Sequence, residues 1–305
     1  MTTVRPVSRT LPLLAWAGIG VGAVIVGLLP WIISGMHLPL QYLWATATLP
    51  PDMPIVALPF SQYAITLLLG LIVTPYAVAG IVARAFRARR PPFALVVLGA
   101  TMAFLQLIAM AQTAVVTRSG LTDEPAADRY VGFLSAGVAL AVAIGLVVLI
   151  WVARASRPFA VVALALAAHA AGFWVNSFLG VFSSPYELSW LASLLQWVPS
   201  VLVGAAIAWG GIRSAGRVVA AVLALLLLWV VPAVATAGSA TLGSYVMLPY
   251  PLEMLDYGWS VLRQALFMPE LVVPHLVVAG VVAAVGLGVG EAVRRLRKPS
   301  ALSTA

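Results

Sequence analysis

The amino-acid sequence predicts an all-α membrane protein, a single polytopic bundle of about eight transmembrane helices. Two observations carry this prediction. Hydrophobic residues make up 63% of the chain and charged residues 9%, whereas soluble domains contain about 45–50% and about 25% respectively. The apolar residues are also gathered into runs of about 20, each long enough to cross a hydrocarbon core of about 30 Å. We therefore expect one membrane-embedded domain that covers residues 1–305.

The apolar runs are predicted to be helices, because only a helix satisfies its own backbone hydrogen bonds inside lipid. The first run, 11–33, is longer than the apolar core of a signal peptide and has no small-residue cleavage site behind it, so we predict an uncleaved span. Pro75 and Pro199 fall inside two of the runs, where they could break a span around a site. The predicted spans are 11–33, 63–82, 93–116, 131–152, 159–182, 191–212, 218–237 and 271–293.

The segment 252–267 has the pattern of an amphipathic helix. Its polar side chains fall on one stripe and its leucine and tryptophan side chains on the opposite side. The segment is shorter than a membrane span and carries charge, so we expect it to lie flat on the outer surface. The polar stripe contains Glu253, Asp256, Ser260, Arg263 and Gln264.

Basic residues are concentrated on one side of the predicted membrane. The other side holds only Arg118, Arg129 and Arg263. Because arginine and lysine mark cytoplasmic loops, both termini are predicted to be cytoplasmic. Arginine is also used almost to the exclusion of lysine, which is typical of a high-GC bacterial genome and predicts a bacterial plasma membrane. The basic residues of the cytoplasmic side are Arg5, Arg9, Arg84, Arg87, Arg89, Arg90, Arg154, Arg157, Arg213, Arg217, Arg294, Arg295, Arg297 and Lys298.

Three of the predicted cytoplasmic turns resemble one another in sequence. The turns at 82–94 and 152–160 share an alanine-arginine pattern that leads to Pro-Phe-Ala, and the turn at 211–217 is a looser third case. An internal duplication of helical hairpins, as in transporters built from repeats, explains the similarity. Convergent composition of short basic turns explains it equally well, and the sequence leaves both explanations open.

Only one ionisable side chain, His169, lies deep in a predicted span. Gly172 and Asn176 share its helix face, and Gln106 and Gln112 of the third span are candidate partners for this intramembrane polar face. One interpretation is a proton- or ligand-binding face inside the bundle. The other, which the sequence favours, is a close helix contact in which polar side chains bond to a neighbouring helix.

Acidic residues offer few catalytic candidates. Asp52 lies in the first outer loop, the place where membrane glycosyltransferases that use lipid-linked sugars keep an acidic residue, and it is the one weak catalytic candidate. Glu253 and Asp256 form an outer acidic pair that could hold a cation or form a solvated helix face. Glu291 precedes Arg295 by four residues, a spacing typical of an ion pair on a helix.

The remaining composition excludes several classes of function. The chain has no cysteine, so it forms no disulfide and no thiolate metal site. No metal-ligand, nucleophile or phosphate-loop pattern is visible, and we predict neither a metal nor a cofactor. The net charge of +8 is spread over short turns rather than over one patch, which argues against nucleic acid as a partner.

Three functional hypotheses follow. The first is a non-enzymatic membrane component, either a permease-like subunit or an envelope-assembly partner, whose expected partners are the lipid bilayer and other membrane subunits. The second is a transporter of an apolar or lipid-like solute, since the spans are too apolar for a charged one. The third is a lipid-linked glycosyl or phosphoryl transferase that uses Asp52. The sequence favours the first and does not favour an enzyme.

Overall fold

The computed structural model describes residues 10–182, 189–244, 247 and 250–296. Several features of the sequence lie outside the described residues. They are the basic residues Arg5, Arg9, Arg297 and Lys298, and most of the short segment 183–190 between the fifth and sixth predicted spans.

Within these ranges the chain is helical, and eight helical segments are long and apolar enough to cross a membrane. This confirms the predicted all-helical bundle with eight candidate spans. The bounds are α1 Leu13–Ile33, α2 Ile65–Ala85, α3 Ala94–Gly120, α4 Pro125–Arg154, α5 Arg157–Gly180, α6 Ser189–Leu195, α7 Val198–Gly210, α8 Ala215–Gly243, α9 Pro251–Leu266 and α10 Pro269–Leu296.

The sixth span is not the continuous helix predicted for 191–212. It consists of α6 and α7, which are separated by a turn at Gln196 and Trp197. Pro199 lies in the first turn of α7, where a proline is tolerated because the helix has no donor to lose there. Pro75, by contrast, lies inside an unbroken α2.

The helices pack into two cores that share α5. The first core is formed by α1–α4 and the long loop 34–64, and α5 contributes a face that includes Ala163 and Ala167. The second core is formed by α7, α8 and α10, and α5 contributes another face that includes Ala165 and Ala168. Because alanine side chains are small, neighbouring helices can approach α5 closely on both faces.

The helices α2 and α4 are in close contact. Gly145 of α4 lies directly against the ring of Tyr76 of α2, which is fully buried. A side chain at Gly145 would overlap the atoms of that ring. Gly27 of α1 similarly faces Pro75 of α2, so the bulk of the proline is accommodated where no side chain opposes it.

The loop 34–64 packs against one end of the bundle, which we call the loop end. The arginine-rich turns lie at the opposite end. The indole of Trp31 donates to the carbonyl of Val56 at 3.0 Å. Two amides of the loop are held by side chains of α3: Ala57 N–H donates to Gln112 Oε1 and Leu58 N–H to Thr113 Oγ1, both at 2.9 Å. The amide of Leu58 is buried and needs such an acceptor, so α3 helps to fix the position of the loop.

Replacing Thr113 with valine is expected to destabilise the protein by about 1–3 kcal/mol, because the buried amide of Leu58 loses its acceptor while side-chain volume is kept. Thr117 provides a matched control one helical turn further along α3. Its hydroxyl is buried and has no hydrogen-bond partner among the described residues, so Thr117→Val should be neutral or stabilising. Thermal unfolding of both variants in detergent measures the difference, and equal losses would contradict the proposed role of Thr113.

Candidate functional site

One face of α5 opens into a cavity of about 650 Å³ inside the second core. His169, Gly172 and Asn176, which the sequence places on a common helix face, all line this cavity. The side chain of His169 is buried, whereas that of Asn176 is exposed. The α5 residues of the predicted polar face therefore line the same cavity.

The cavity is formed by residues of α5, α7, α8, α9 and α10, together with the last residue of α6, the turn that follows it and the residue Met268 between α9 and α10. Its walls are mainly apolar, and no charged side chain is among the described residues that line it. A site of this kind is suited to a largely apolar ligand that is oriented by a few polar groups. The apolar lining is Phe173, Leu195, Pro199, Leu228, Pro232, Ala233, Val261, Ala265, Met268, Leu271 and Val272.

The break between α6 and α7 lies at the cavity. Gln196 of the turn lines it, and Pro199 packs against Gly172 of α5, where a side chain on the glycine would come within 2.7 Å of the proline ring. Trp197 packs against the imidazole of His275 of α10, with ring centroids 4.8 Å apart. The interrupted span is thus held to α5 on one side and to α10 on the other.

Two histidines supply the most versatile polar groups of the cavity. The imidazole of His169 approaches the backbone of Leu227 on α8, but its buried Nε2 makes no hydrogen bond with a described residue. His275 Nδ1 lies 2.7 Å from the carbonyl of Leu271. Because a carbonyl only accepts, Nδ1 of His275 donates, and Nε2 of the neutral ring is left as an acceptor.

A proline adds a backbone acceptor to the same cavity. Pro232 interrupts the hydrogen-bond ladder of α8, so the carbonyl of Leu228 lacks its usual donor within the helix. Both residues line the cavity. A ligand with a hydroxyl or amide group could therefore bond to histidine nitrogen or to a main-chain carbonyl.

The amphipathic helix α9 forms one wall of the cavity through Val261, Gln264 and Ala265. It contacts α8 at two levels: Gly258 faces Thr241 near the end of α8, and the indole of Trp229 at mid-helix donates to the carbonyl of Leu266 at 3.0 Å. These contacts indicate that α9 runs back alongside α8 in the antiparallel direction. That this helix lies flat on the outer surface, as its amphipathic pattern predicts, stays a prediction.

Gln106 and Gln112 do not join His169. Gln106 is fully buried and donates to the carbonyl of Ile72 in α2 at 3.3 Å. Gln112 bonds to the backbone of the loop 34–64, as described above. Gln106 therefore belongs to the first core and Gln112 to the contact between α3 and the loop, so the structure does not assemble the four predicted residues into one polar face.

The acidic candidates lie apart from the cavity. Asp52 ends a short 3₁₀ turn of the first long loop and is exposed, and Glu253 and Asp256 are exposed on α9. None of the three is among the described residues that line the cavity. Glu291 bonds to Arg294 and Arg295 on its own helix and also to Arg213, 2.6 Å away, in the turn between α7 and α8. Among the described residues no cluster of three metal-ligating side chains was found.

A second cavity of about 680 Å³ lies in the loop 34–64, beside Gln41, Tyr42 and Tyr63. Gln41 is already bonded there: its amide donates to the carbonyl of Phe60 at 2.7 Å, and its oxygen accepts from Tyr130. The polar group is thus used in holding the loop to α4. We regard the cavity at His169 as the stronger candidate, because a buried polar nitrogen there has no partner within the described structure.

Comparisons of the chain with protein-family models, with curated proteins and with solved structures found no match. The candidate site is therefore interpreted from its own geometry. Sequence reasoning identified the face of α5 but missed the residues of the other helices, chiefly Thr236, Gln264 and His275. Gln264 carried a signal, because it belongs to the polar stripe of α9, whereas Thr236 and His275 stood alone in apolar runs.

Proposed function

We propose that this multi-pass membrane protein is a permease-like component that binds a neutral, largely apolar solute of lipid-like character in the cavity at His169. The observation that carries the proposal is the lining of the cavity, which combines apolar walls with uncharged polar groups. A charged solute would lose its hydration there and find no counter-charge among the described residues, which is costly. An apolar solute gains free energy from the same walls.

The surrounding helices support a role in solute passage. Discontinuous helices line the solute sites of many transporters, and the turn between α6 and α7 occupies the corresponding place beside this cavity. The helix α9 closes another side while packing mainly against α8, so its displacement would open the cavity laterally. By this proposal the arginine-rich turns face the cytoplasm of a bacterial plasma membrane.

A second candidate is a subunit that assembles with another membrane protein through α10. This helix packs mainly against α7, and a ridge of exposed valines runs along its length. Gly280, Gly288 and Gly290 have open space around them, which suits the close approach of a partner helix. The exposed ridge consists of Val273, Val277, Val281, Val285, Val289 and Val293.

Replacing Thr236 with tryptophan is expected to weaken the binding of a neutral apolar dye, such as Nile red, at least tenfold. The indole would occupy part of the cavity that Thr236 lines. Val234 on the same helix is 52% exposed and is not part of the lining, so Val234→Trp is the matched control and should bind like the wild type. Fluorescence titration of the purified proteins in lipid nanodiscs measures both affinities.

Reconstitution of the single purified chain into liposomes separates the two candidate functions. Saturable uptake of the dye that Thr236→Trp abolishes supports the permease-like role. Saturable binding without uptake favours the subunit, which would need its partner for transport. If the wild type binds no dye beyond the amount that partitions into protein-free nanodiscs, the cavity is not a solute site.

A further inference from the structure

Five arginines are brought together by two turns at the arginine-rich end of the bundle. We call them the arginine cluster: Arg84, Arg87, Arg90, Arg154 and Arg157. Two of its members have structural bonds. Arg84 Nη1 donates to the carbonyls of Val152 and Ala155 at 2.7 and 3.2 Å, and Arg90 Nη1 donates to that of Ala153 at 3.4 Å. These carbonyls end α4, where a helix carries unpaired acceptors and partial negative charge.

The other three arginines have no such bonds within the described structure, and they lie close to the first two. The charges of Arg87 and Arg157 act on Arg84, and burial together with the charge of Arg154 lowers the pKa of Arg90. Arg87, Arg154 and Arg157 are all exposed. The cluster is therefore a concentration of positive charge with guanidinium groups available to a ligand.

No carboxylate of the described residues compensates this charge. The ion pairs in the described part of the chain join Arg118 to two aspartates at the loop end, and Glu291 to three arginines near α10. Among the described residues, the exposed guanidinium groups of the cluster are therefore left open to an anion from outside the chain.

Exposed aromatic side chains border the cluster. The guanidinium of Arg84 lies 5.0 Å from the ring centroid of Trp209, a residue of α7. Phe159, two residues after Arg157, is 54% exposed and packs edge-on against Trp151 with centroids 5.4 Å apart. The ligand that fits this arrangement carries negative charge at one end and apolar chains at the other.

We propose that the arginine cluster binds the headgroup of an anionic phospholipid, with Arg87, Arg154 and Arg157 contacting phosphate and the acyl chains lying along Phe159 and Trp151. Guanidinium groups match the geometry of phosphate oxygens better than lysine does. The aromatic border favours a lipid over a soluble phosphate, which would gain nothing from it. The proposal is independent of the solute cavity, because the two sites share no residue.

The test compares phosphatidylglycerol with phosphatidylcholine, an anionic and a zwitterionic lipid, by native mass spectrometry of the purified full chain. The double variant Arg87→Gln/Arg157→Gln removes two exposed charges and leaves Arg84 and Arg90 on their carbonyls. Each arginine near a membrane surface contributes about 1 kcal/mol toward anionic lipid, so affinity for phosphatidylglycerol should fall roughly thirtyfold. Phosphatidylcholine binding should not change.

The matched control is Arg217→Gln/Arg295→Gln, which removes the same charge from the same end but leaves Glu291 its bonds to Arg213 and Arg294. It should keep wild-type affinity. An equal loss in this control would overturn the proposal, because general charge would then explain the binding. So would equal affinity of the wild type for both lipids, a measurement that does not depend on any variant folding, or displacement of the lipid by millimolar inorganic phosphate.

Discussion

Replacing Gly145 with alanine is expected to lower the ratio of folded to unfolded protein roughly a hundredfold, the equivalent of about 3 kcal/mol in the free energy of unfolding. The added methyl group would overlap the ring of Tyr76, which is fully buried between α2 and α4. The ring is fully buried, so it cannot turn aside into solvent, and we expect the two helices to be pushed apart. The two helices pack against each other in the first core, so their separation affects everything packed on them.

Gly137 of α4 is the matched control for this substitution. A side chain there meets nothing within 4 Å, so Gly137→Ala should be neutral or stabilising, because alanine favours a helix over glycine by about 1 kcal/mol. Folded yield by size-exclusion chromatography and thermal unfolding in detergent measure both variants. Tyr76→Leu should partly restore Gly145→Ala, since it removes the overlapping ring. Equal behaviour of the two alanine variants would contradict the packing argument.

The spans could be predicted because every backbone polar group inside lipid must form its hydrogen bond within the protein, and a helix does this locally. A run of about 20 apolar residues must become a helix wherever it crosses the membrane. The same rule underestimates helix length outside the lipid: α4 begins at Pro125 rather than near residue 131, and Asp128 of its first turn pairs with Arg118. Hydropathy records where lipid ends, whereas the helix continues until its backbone finds other partners.

The structure of the loop 34–64 could not be predicted from the same information. It depends on acceptors from α3, Gln112 and Thr113, which follow it by about 50 residues and have no periodic signal. Sequence patterns also assign a polar residue in a span to a polar face of the bundle, and on that basis they group Gln112 with His169. Only the packing of α3 against the loop, away from α5, separates them.

The candidate site was predictable only on α5. Helical spacing places His169, Gly172 and Asn176 on one face, because spacings of three and four residues are local geometry. The opposite walls come from helices that no spacing rule relates to α5. The break in the sixth span was likewise hidden, since its residues are apolar on both sides of Gln196 and Trp197. Pro199 was its only sequence signal.

Replacing Gly204 with alanine is expected to displace α10 and to reduce both stability and dye binding. A methyl group at Gly204 would come within 2.6 Å of the backbone carbonyl of Ala279, and a backbone atom cannot rotate away as a side chain does. Because α10 packs mainly against α7, we expect the added methyl group to push the whole of α10 away from α7. We expect a loss of about 1–3 kcal/mol of stability and a severalfold loss of affinity for Nile red.

Loss of dye affinity is the part of this result that bears on function, because Leu271, Val272 and His275 of α10 line the cavity. Gly280→Ala is the matched control on α10, where an added methyl group meets nothing within 4 Å. It should preserve both stability and binding. If Gly204→Ala lowers the unfolding temperature but binds the dye like the wild type, α10 supports the fold without forming the solute site, and the wall assigned to it would have to be withdrawn. Loss of affinity in folded protein, with the control unchanged, ties the cavity to the junction of α7 and α10.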